Sequence, residues 1–533
     1  MNSVKSLKNI NQVENYTKSH TFTTNDYTIS KFDIIKLIPN IKDSENAIIR
    51  KINAPAKLSE IYSNKNLNII DFIIDNGYIY ITGYFYEDIT ITDINKKKIH
   101  GKISEKGYTD IFLAKLYNNS IIFIKFITGL KNDKACSIKI DKNGDIYICG
   151  YYTDSITFDT VYLSSKNNKN KNVFVAKLNS KTFEWIWAKD AGKNETDSKG
   201  LNIFIYEKYI YLCGYFDKQI KFDVIPSINI STNNRNIFIQ KMNIENGDNE
   251  WINNTVSEYD KKLNDSIIKN NKLYILSSNI NKKIITVSIL NIKNNKWILL
   301  DKPILDIDIE RTERTEKKEN IFLIFKSAIR IDIKNNIYIS YNLSNNISYI
   351  IKYDQNFEMI WKNEVNFIIN DLNFDENNYM NIVGSINNDN VNNILKINDI
   401  EYKKVNKNDL IFMKLYDTGK IFLYEIIGTK NEKNYIKKIL IYNEKIFMMR
   451  NKNELLEFQF DDRKLKCIGI VKAINNGIID IEFSGNIGTN YNNLIAGNDY
   501  FIQENGKLDI IPNDFYFGTA ITNEKLLINN FKF

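Results

Sequence analysis

The chain of 533 residues is poor in the residue types on which most site chemistries are built. It has two histidines, His20 and His100, so a histidine general base or a Ser-His-Asp arrangement has almost no material. Its four cysteines, Cys136, Cys149, Cys213 and Cys467, include no C-x-x-C pair and stand at no close spacing to either histidine, which excludes a structural zinc site. Four cysteines in so long a chain do not make a disulfide framework either. Five prolines and 21 glycines exclude collagen-like and linker-like classes. No long apolar run exists. Ile121–Leu130 is interrupted by Lys125 and is too short to cross a bilayer. The first twenty residues carry no apolar segment of the kind a secretory signal needs. There is no G-x-S-x-G, no H-E-x-x-H and no Walker loop. The expectation is a soluble protein of a reducing compartment, with no cofactor and no metal.

Isoleucine and asparagine are abundant instead, at 94 and 80 residues. With 72 Lys+Arg they suggest the codon bias of an AT-rich genome, so a motif in these residues must first exceed that background. A hydrophobic share of 43% excludes wholesale disorder. The net charge of +8 is mild over this length, and a nucleic-acid footprint would need its lysines gathered on one face. The densest charged stretch, Glu310–Glu319, mixes both signs and reads as a solvated loop or short helix.

The organising feature is an internal repeat. Its core is an apolar triplet, usually with a central aromatic: Ile79-Tyr80-Ile81, Ile146-Tyr147-Ile148, Ile210-Tyr211-Leu212, Leu273-Tyr274-Ile275 and Ile337-Tyr338-Ile339. Met380-Asn381-Ile382 and Ile446-Phe447-Met448 are weaker copies. The centres are spaced by 67, 64, 63, 64, 43 and 66 residues, and the one short step suggests a repeat that lost a loop or hairpin. Seven residues before each centre stands an apolar residue: Ile73, Ile140, Phe204, Ile267, Ile331, Phe374 and Leu440. Turn formers such as Asn76-Gly77 and Asn143-Gly144 lie between, which is a hairpin signal. Gly83, Gly150, Gly214 and Gly384 follow four of the triplets.

Successive strand residues point to opposite faces, so a triplet apolar throughout needs cover on both sides. A further strand follows in several repeats, as in Phe112–Leu116, Phe174–Leu178 and Phe238–Met242. Then comes a tryptophan strand, as in Trp185–Lys189, Trp251-Ile252, Trp297-Ile298 and Ile360–Lys362. Four strands per unit, with every unit covered on both faces, predict an all-β fold of radially packed sheets: a seven-bladed β-propeller over 67–465. The segment 1–66 has no repeat core. Its strands at Phe32–Leu37 and Ala47–Ile52 offer one that closes the ring. Beyond Cys467 short strands separated by glycine turns predict a small all-β C-terminal module at 466–533.

The wording of Asn143–Gly192, with its F-V-A-K-L and W-x-W-A segments, resembles the seven-bladed propeller repeats called SBBP, and the match is best over 69–255. The C-terminal stretch, with Gly485, Gly497, Tyr500-Phe501-Ile502 and Leu526-Leu527-Ile528, resembles the β modules of phage and giant-virus structural proteins. These resemblances imply a scaffold and, with the residue bias, a large DNA virus as its setting. The virion or the host cytoplasm would then be its location.

Candidate sites are few. Lys115, Lys177, Lys241, Lys352 and Lys414 recur at one repeat position and would form an anion-binding ring if they met at the axis, or solvate a strand edge if they face outward. Asp141-x-Asn143-x-Asp145 resembles the start of a calcium loop, but Gly144 comes early and position twelve is Tyr152, so a hairpin turn accounts for it. Cys149 and Cys213 share a repeat position and read as small buried fillers. The five tryptophans read as packing within the sheets. The expected role is a non-catalytic scaffold for protein or ligand binding, structural or host-interacting, with an exposed apolar patch on one face. A lyase or glycosidase at the channel mouth would instead show converging groups of perturbed pKa, and a nucleic-acid binder would show lysines on one face.

Overall fold

Triplets of β-branched and aromatic residues, set off by Asn-rich turns, favour strands paired in hairpins. The computed structural model describes most of residues 66–306 and 327–459 with side chains, and the backbone of strands within 20–51 and 467–528. Each regular element among the described residues is a β-strand, so no helix there is long and apolar enough to cross a membrane. Glu310–Glu319 lies outside the described residues.

Between Leu67 and Gln459 one plan recurs, in which inner, second, third and outer strands follow in chain order and pair antiparallel. The first sheet is Leu67–Asp75, Tyr78–Phe85, Asp110–Tyr117 and Ser120–Gly129. The second is Lys134–Ile140, Ile146–Thr153, Lys171–Leu178 and Trp185–Asp190. The third is Ser198–Tyr206, Tyr209–Phe216, Asn236–Asn243 and Asn249–Asn254. The fourth is Lys262–Lys269, Lys272–Asn279, Ile284–Asn291 and Lys296–Asp306. The fifth is Ser327–Ile331, Ile337–Asn342, Ser348–Tyr353 and Met359–Val365. The sixth is Ile368–Phe374, Met380–Ser385, Leu410–Leu415 and Ile421–Ile427. The last has Ile436–Tyr442, Lys445–Arg450 and Glu454–Gln459, and its outer strand, Ile48–Lys51, comes from the other end of the chain. Each inner strand packs against the inner strand of the next sheet, and Ile436–Tyr442 packs against Leu67–Asp75. Sheets that follow one another in a closed circle make a β-propeller.

The core lies between sheets. Tyr147, Cys149 and Val175 of the second sheet pack on Ile203, Leu212 and Phe238 of the third, and Phe447 and Met449 of the last pack on Phe72 and Ile81 of the first. The triplets are buried apart from the half-buried Ile79, and Ile146, Tyr147 and Ile148 are buried completely. Burial of one such side chain contributes about 1.5–3 kcal/mol. Extra hairpins leave the ends of some second strands. Ser155–Phe158 with Val161–Ser164 joins the outer strand of the preceding sheet (Ile156↔Gly129), and Asn393–Ile397 with Ile400–Val405 does the same (Val365↔Ile397). The fifth sheet has only 343–347 at that connection and only 366–367 before the next inner strand, which together give the 43-residue step between its triplet and the next.

The glycines after the triplets serve a close approach. A Cβ at Gly83, Gly150 or Gly214 would stand 1.9, 2.0 or 2.1 Å from the carbonyl oxygen of Asn68, Lys134 or Lys199 on the inner strand. There the inner strand bulges, with register shifts at Ile69/Asp71, Ala135/Ser137 and Gly200/Asn202. A bulge bends its strand toward the partner, and a side chain would hold the two apart.

A second compact unit comprises Met1–Ile48 and Gln459–Phe533. His20–Thr23 pairs with Ile478–Glu482 and Ile34–Lys36 with Cys467–Asn475, so the chain's first and last parts share a sheet. A five-stranded sheet of Ile487–Thr489, Lys525–Ile528, Tyr516–Ala520, Asp499–Ile502 and Leu508–Asp509 completes the unit.

Gly150→Ala drives a methyl group into the Lys134 carbonyl, where backbone lies on both sides. It should lower unfolding free energy by about 3 kcal/mol in urea denaturation, whereas a change below about 0.5 kcal/mol would show that the bulge does not need the glycine.

Candidate functional site

The five recurrent lysines stand on third strands, with the inner and second strands between them and the axis. Each lies opposite a triplet residue: Lys115 opposite Tyr80, Lys177 opposite Tyr147, Lys241 opposite Tyr211, Lys352 opposite Tyr338 and Lys414 opposite Asn381. Their ammonium groups are engaged locally. Lys115 lies 4.1 Å from the Tyr78 ring centre and Lys241 3.5 Å from that of Tyr209, at cation–π distance. Lys177 is buried 3.3 Å from the Asp145 carboxylate, and Lys414 stands 2.8 Å from Asp375. Lys352 is buried and pairs with Asp417, which also accepts a hydrogen bond from the Tyr338 hydroxyl at 2.8 Å. The structure brings these lysines to separate sheets and sheet interfaces.

The axis is furnished by other residues. At the bulge of the inner strand, Asp71 accepts hydrogen bonds from its neighbour's amide, Phe72 N, at 3.0 Å and from Ile138 N of the next sheet at 2.9 Å. Asp265 repeats this with Ser266 N at 2.8 Å and Ile329 N at 3.1 Å. Asp371 repeats it again, with Leu372 N and Ile439 N at 2.9 Å each. Three carboxylates thus each take one amide from their own strand and one from the next sheet. Cations complete the set. Arg330 of the fifth sheet reaches Asp265 on one side and Asp371 on the other. Lys438 of the last sheet reaches Asp71 at 2.6 Å and the Phe72 carbonyl at 2.8 Å, across the joint where the circle closes. Burial alone would raise the Asp71 carboxyl, but Lys438, Lys139 and the hydrogen bonds outweigh it and hold it below the ordinary carboxylate range.

The most site-like surface lies where the second strands of the first three sheets end. Tyr84, Tyr151 and Tyr215 each follow a close-approach glycine, and cations stand between them. Lys134 of the second sheet lies 3.9 Å over the Tyr84 ring of the first. Lys199 of the third sheet lies 4.8 Å over the Tyr151 ring of the second and 5.6 Å from Tyr215. Arg235 lies 4.5 Å over Tyr215 and pairs with Asp217. A row of alternating phenols and cations therefore crosses three sheets. Cys136, a free half-buried thiol at the second bulge, is pushed up to about 12 by burial despite Lys199 and Lys134 beside it, so it stays a thiol. Tyr84, Lys134, Lys199 and Tyr215 are half-buried. Leu130, Val256, Tyr86 and Tyr259 are exposed on connections at the same end of the sheets. The row can offer positive charge, hydroxyl donors and flat rings to a ligand.

Other candidates found local uses. Asp141 Oδ1 accepts from Asn143 N at 2.8 Å and Asp145 N at 3.0 Å, the geometry of a hairpin turn. Cys149 and Cys213 are buried in different inter-sheet clusters. Trp187, Trp251 and Trp361 stand edge-on to Tyr147, Tyr211 and Tyr338 at ring-centre distances of 6.2, 6.0 and 5.9 Å. Among the described residues no group of three or more His, Cys, Asp or Glu side chains is placed to hold a metal ion.

No family model and no curated protein matches the chain. Solved structures similar to it include BamB from Moraxella catarrhalis, 9% identical, over 75% of this chain and 95% of that one, with a TM-score of 0.37. Virginiamycin B lyase from Staphylococcus aureus is 8% identical over 75% and 97%, with a TM-score of 0.38. The Dos1 propeller is 6% identical over 74% and 93%, with a TM-score of 0.37. At such identity none of them assigns an activity to this chain.

Asp417 ties Lys352 to a pH dependence. Burial pushes its carboxyl up, while Lys352, Tyr338 and Lys334 pull it further down, to about 2, from an ordinary value of 3.8. Because the folded value is the lower one, its stabilisation is complete above about pH 4 and is lost as pH falls toward 2. Asp417→Asn should therefore flatten the fall in thermal midpoint between about pH 4 and 2 while leaving the profile above pH 5 parallel to wild type. An unchanged acid slope would contradict the pairing.

Proposed function

We propose that this chain is a seven-bladed β-propeller that works as a non-catalytic binding scaffold, and that the phenol–cation row on its first three sheets takes an acidic segment of a protein partner. The observation that carries this reading is the row itself. Tyr84, Tyr151 and Tyr215 alternate with Lys134, Lys199 and Arg235 on a rigid base, beside exposed apolar side chains. Tyr and Arg are the residues that carry most energy at protein interfaces. An enzyme reading finds less support, because Asp71, Asp265 and Asp371 at the axis are each occupied by two amides and a cation.

Fluorescence anisotropy with a labelled glutamate-rich peptide tests the proposal. Wild type should bind it, and Lys134→Ala with Lys199→Ala should weaken binding about tenfold, equivalent to one lost charge-assisted contact. Equal binding by both proteins would overturn the assignment of the row. Tight binding of single-stranded DNA that falls steeply with salt would favour the nucleic-acid reading instead.

A further inference from the structure

We propose that the propeller axis holds a second, separate site, in which Lys139 binds one small anionic group, a phosphate or a carboxylate. The case comes from comparing two copies of the same position. Lys139 of the second sheet and Arg330 of the fifth both stand opposite the central tyrosine of the triplet, Tyr147 and Tyr338 respectively. Both directly follow an isoleucine whose amide bonds the bulge carboxylate of the preceding sheet, Asp71 in one case and Asp265 in the other.

Arg330 is satisfied from both sides, by Asp265 of the sheet before and Asp371 of the sheet after. Lys139 is not. In the sheet before it, Asp71 already accepts from Phe72 N, Ile138 N, Ser137 Oγ and Lys438 Nζ. In the sheet after it, the bulge position that Asp371 holds in the sixth sheet is Asn202, as the register shifts Gly200/Asn202 and Ile369/Asp371 show. The Asn202 amide nitrogen donates onward to Ser266 Oγ of the fourth sheet at 2.8 Å, and its uncharged side chain gives Lys139 no carboxylate where Arg330 finds that of Asp371. The Lys139 ammonium donates to the Ile138 carbonyl of its own strand at 3.0 Å, and no carboxylate among the described residues comes within ion-pair distance of it.

Charge supports the same conclusion. At the bulges, Asp71, Asp265 and Asp371 face Lys139, Arg330, Lys438 and Lys437, whose ammonium donates to the Ile69 carbonyl. Burial pushes the Lys139 ammonium toward its neutral form; Asp71 opposes this, while Lys438 and Arg330 add to it. An anion placed on Lys139 would supply the missing second carboxylate.

Isothermal titration of the full chain with inorganic phosphate, and separately with acetate, reads the site. One anion per chain should bind, and the stronger probe identifies the group. Lys139→Met should weaken it at least about tenfold, and Lys139→Arg should retain it. Asn202→Asp is the more telling variant, because it builds in the absent carboxylate. It should abolish anion binding and raise the thermal midpoint, since Lys139 then gains the partner that Arg330 has. The site is overturned if neither probe binds folded wild type, or if binding persists undiminished in both Lys139→Met and Asn202→Asp. None of these substitutions touches the phenol–cation row, so loss of peptide binding there would not mimic the result.

Discussion

A carboxylate at the bulge of an inner strand sets the geometry on which the rest of the propeller depends. Asp71, Asp265 and Asp371 each bond one amide of their own strand and one of the next sheet. The bulge frees the amides from the strand ladder, and the carboxylate takes them up. Removing a carboxylate from water costs several kcal/mol, and charge-assisted hydrogen bonds of about 1.5–3 kcal/mol each offset that cost. Asp71 has four donors, and Asp265 and Asp371 have three each. The same contacts fix the spacing of adjacent sheets at the axis, where apolar packing gives way to backbone. The glycines of the second strands are the counterpart, because only a missing Cβ lets the bulged strand come close.

The circle is not uniform, and both proposed sites lie at its irregularities. The fifth sheet pairs its first two strands without a register shift and has Ala328 opposite Ser340, so it gives no carboxylate and contributes Arg330 to both neighbours instead. The third sheet offers Asn202. The first three sheets carry the Gly-Tyr pairs and the lysines between them, while the fourth has Ser277-Ser278 at the corresponding place. A scaffold whose joints are locked at the axis can vary its rim and a few axial residues without altering the fold, which is how ligand sites arise on repeat architectures.

Much of this was legible in the sequence because it is local. The triplets, the F-V-A-K-L strands and the tryptophan strands all occupy the expected second, third and outer places. What escaped was hidden by turn length. Counting seven residues back from a triplet centre reaches its register partner at Ile73, Phe204, Ile267 and Leu440. In the second, fifth and sixth sheets the turn is longer, built on Asp141, Asp332 and Asp375, and the partners are Lys139, Arg330 and Asn373. The apolar residue at the constant spacing masked the polar one that matters. Asp71, Asp265 and Asp371 were three acids among 64 with nothing local to mark them. The Gly-Tyr pairs were visible, but Lys134 over Tyr84 and Lys199 over Tyr151 come from the next sheet. Pairing of the first strands with the last joins residues more than 400 positions apart, which no local pattern encodes.

Amide hydrogen exchange at Ile138, Ile329 and Ile439 tests the central claim most directly, since these amides point out of one sheet to a carboxylate of its neighbour. The three should exchange only with global unfolding, as slowly as the amides of the buried triplets. Exchange at the rate of exposed turn amides, while the triplets remain protected, would show that the carboxylates do not join the sheets.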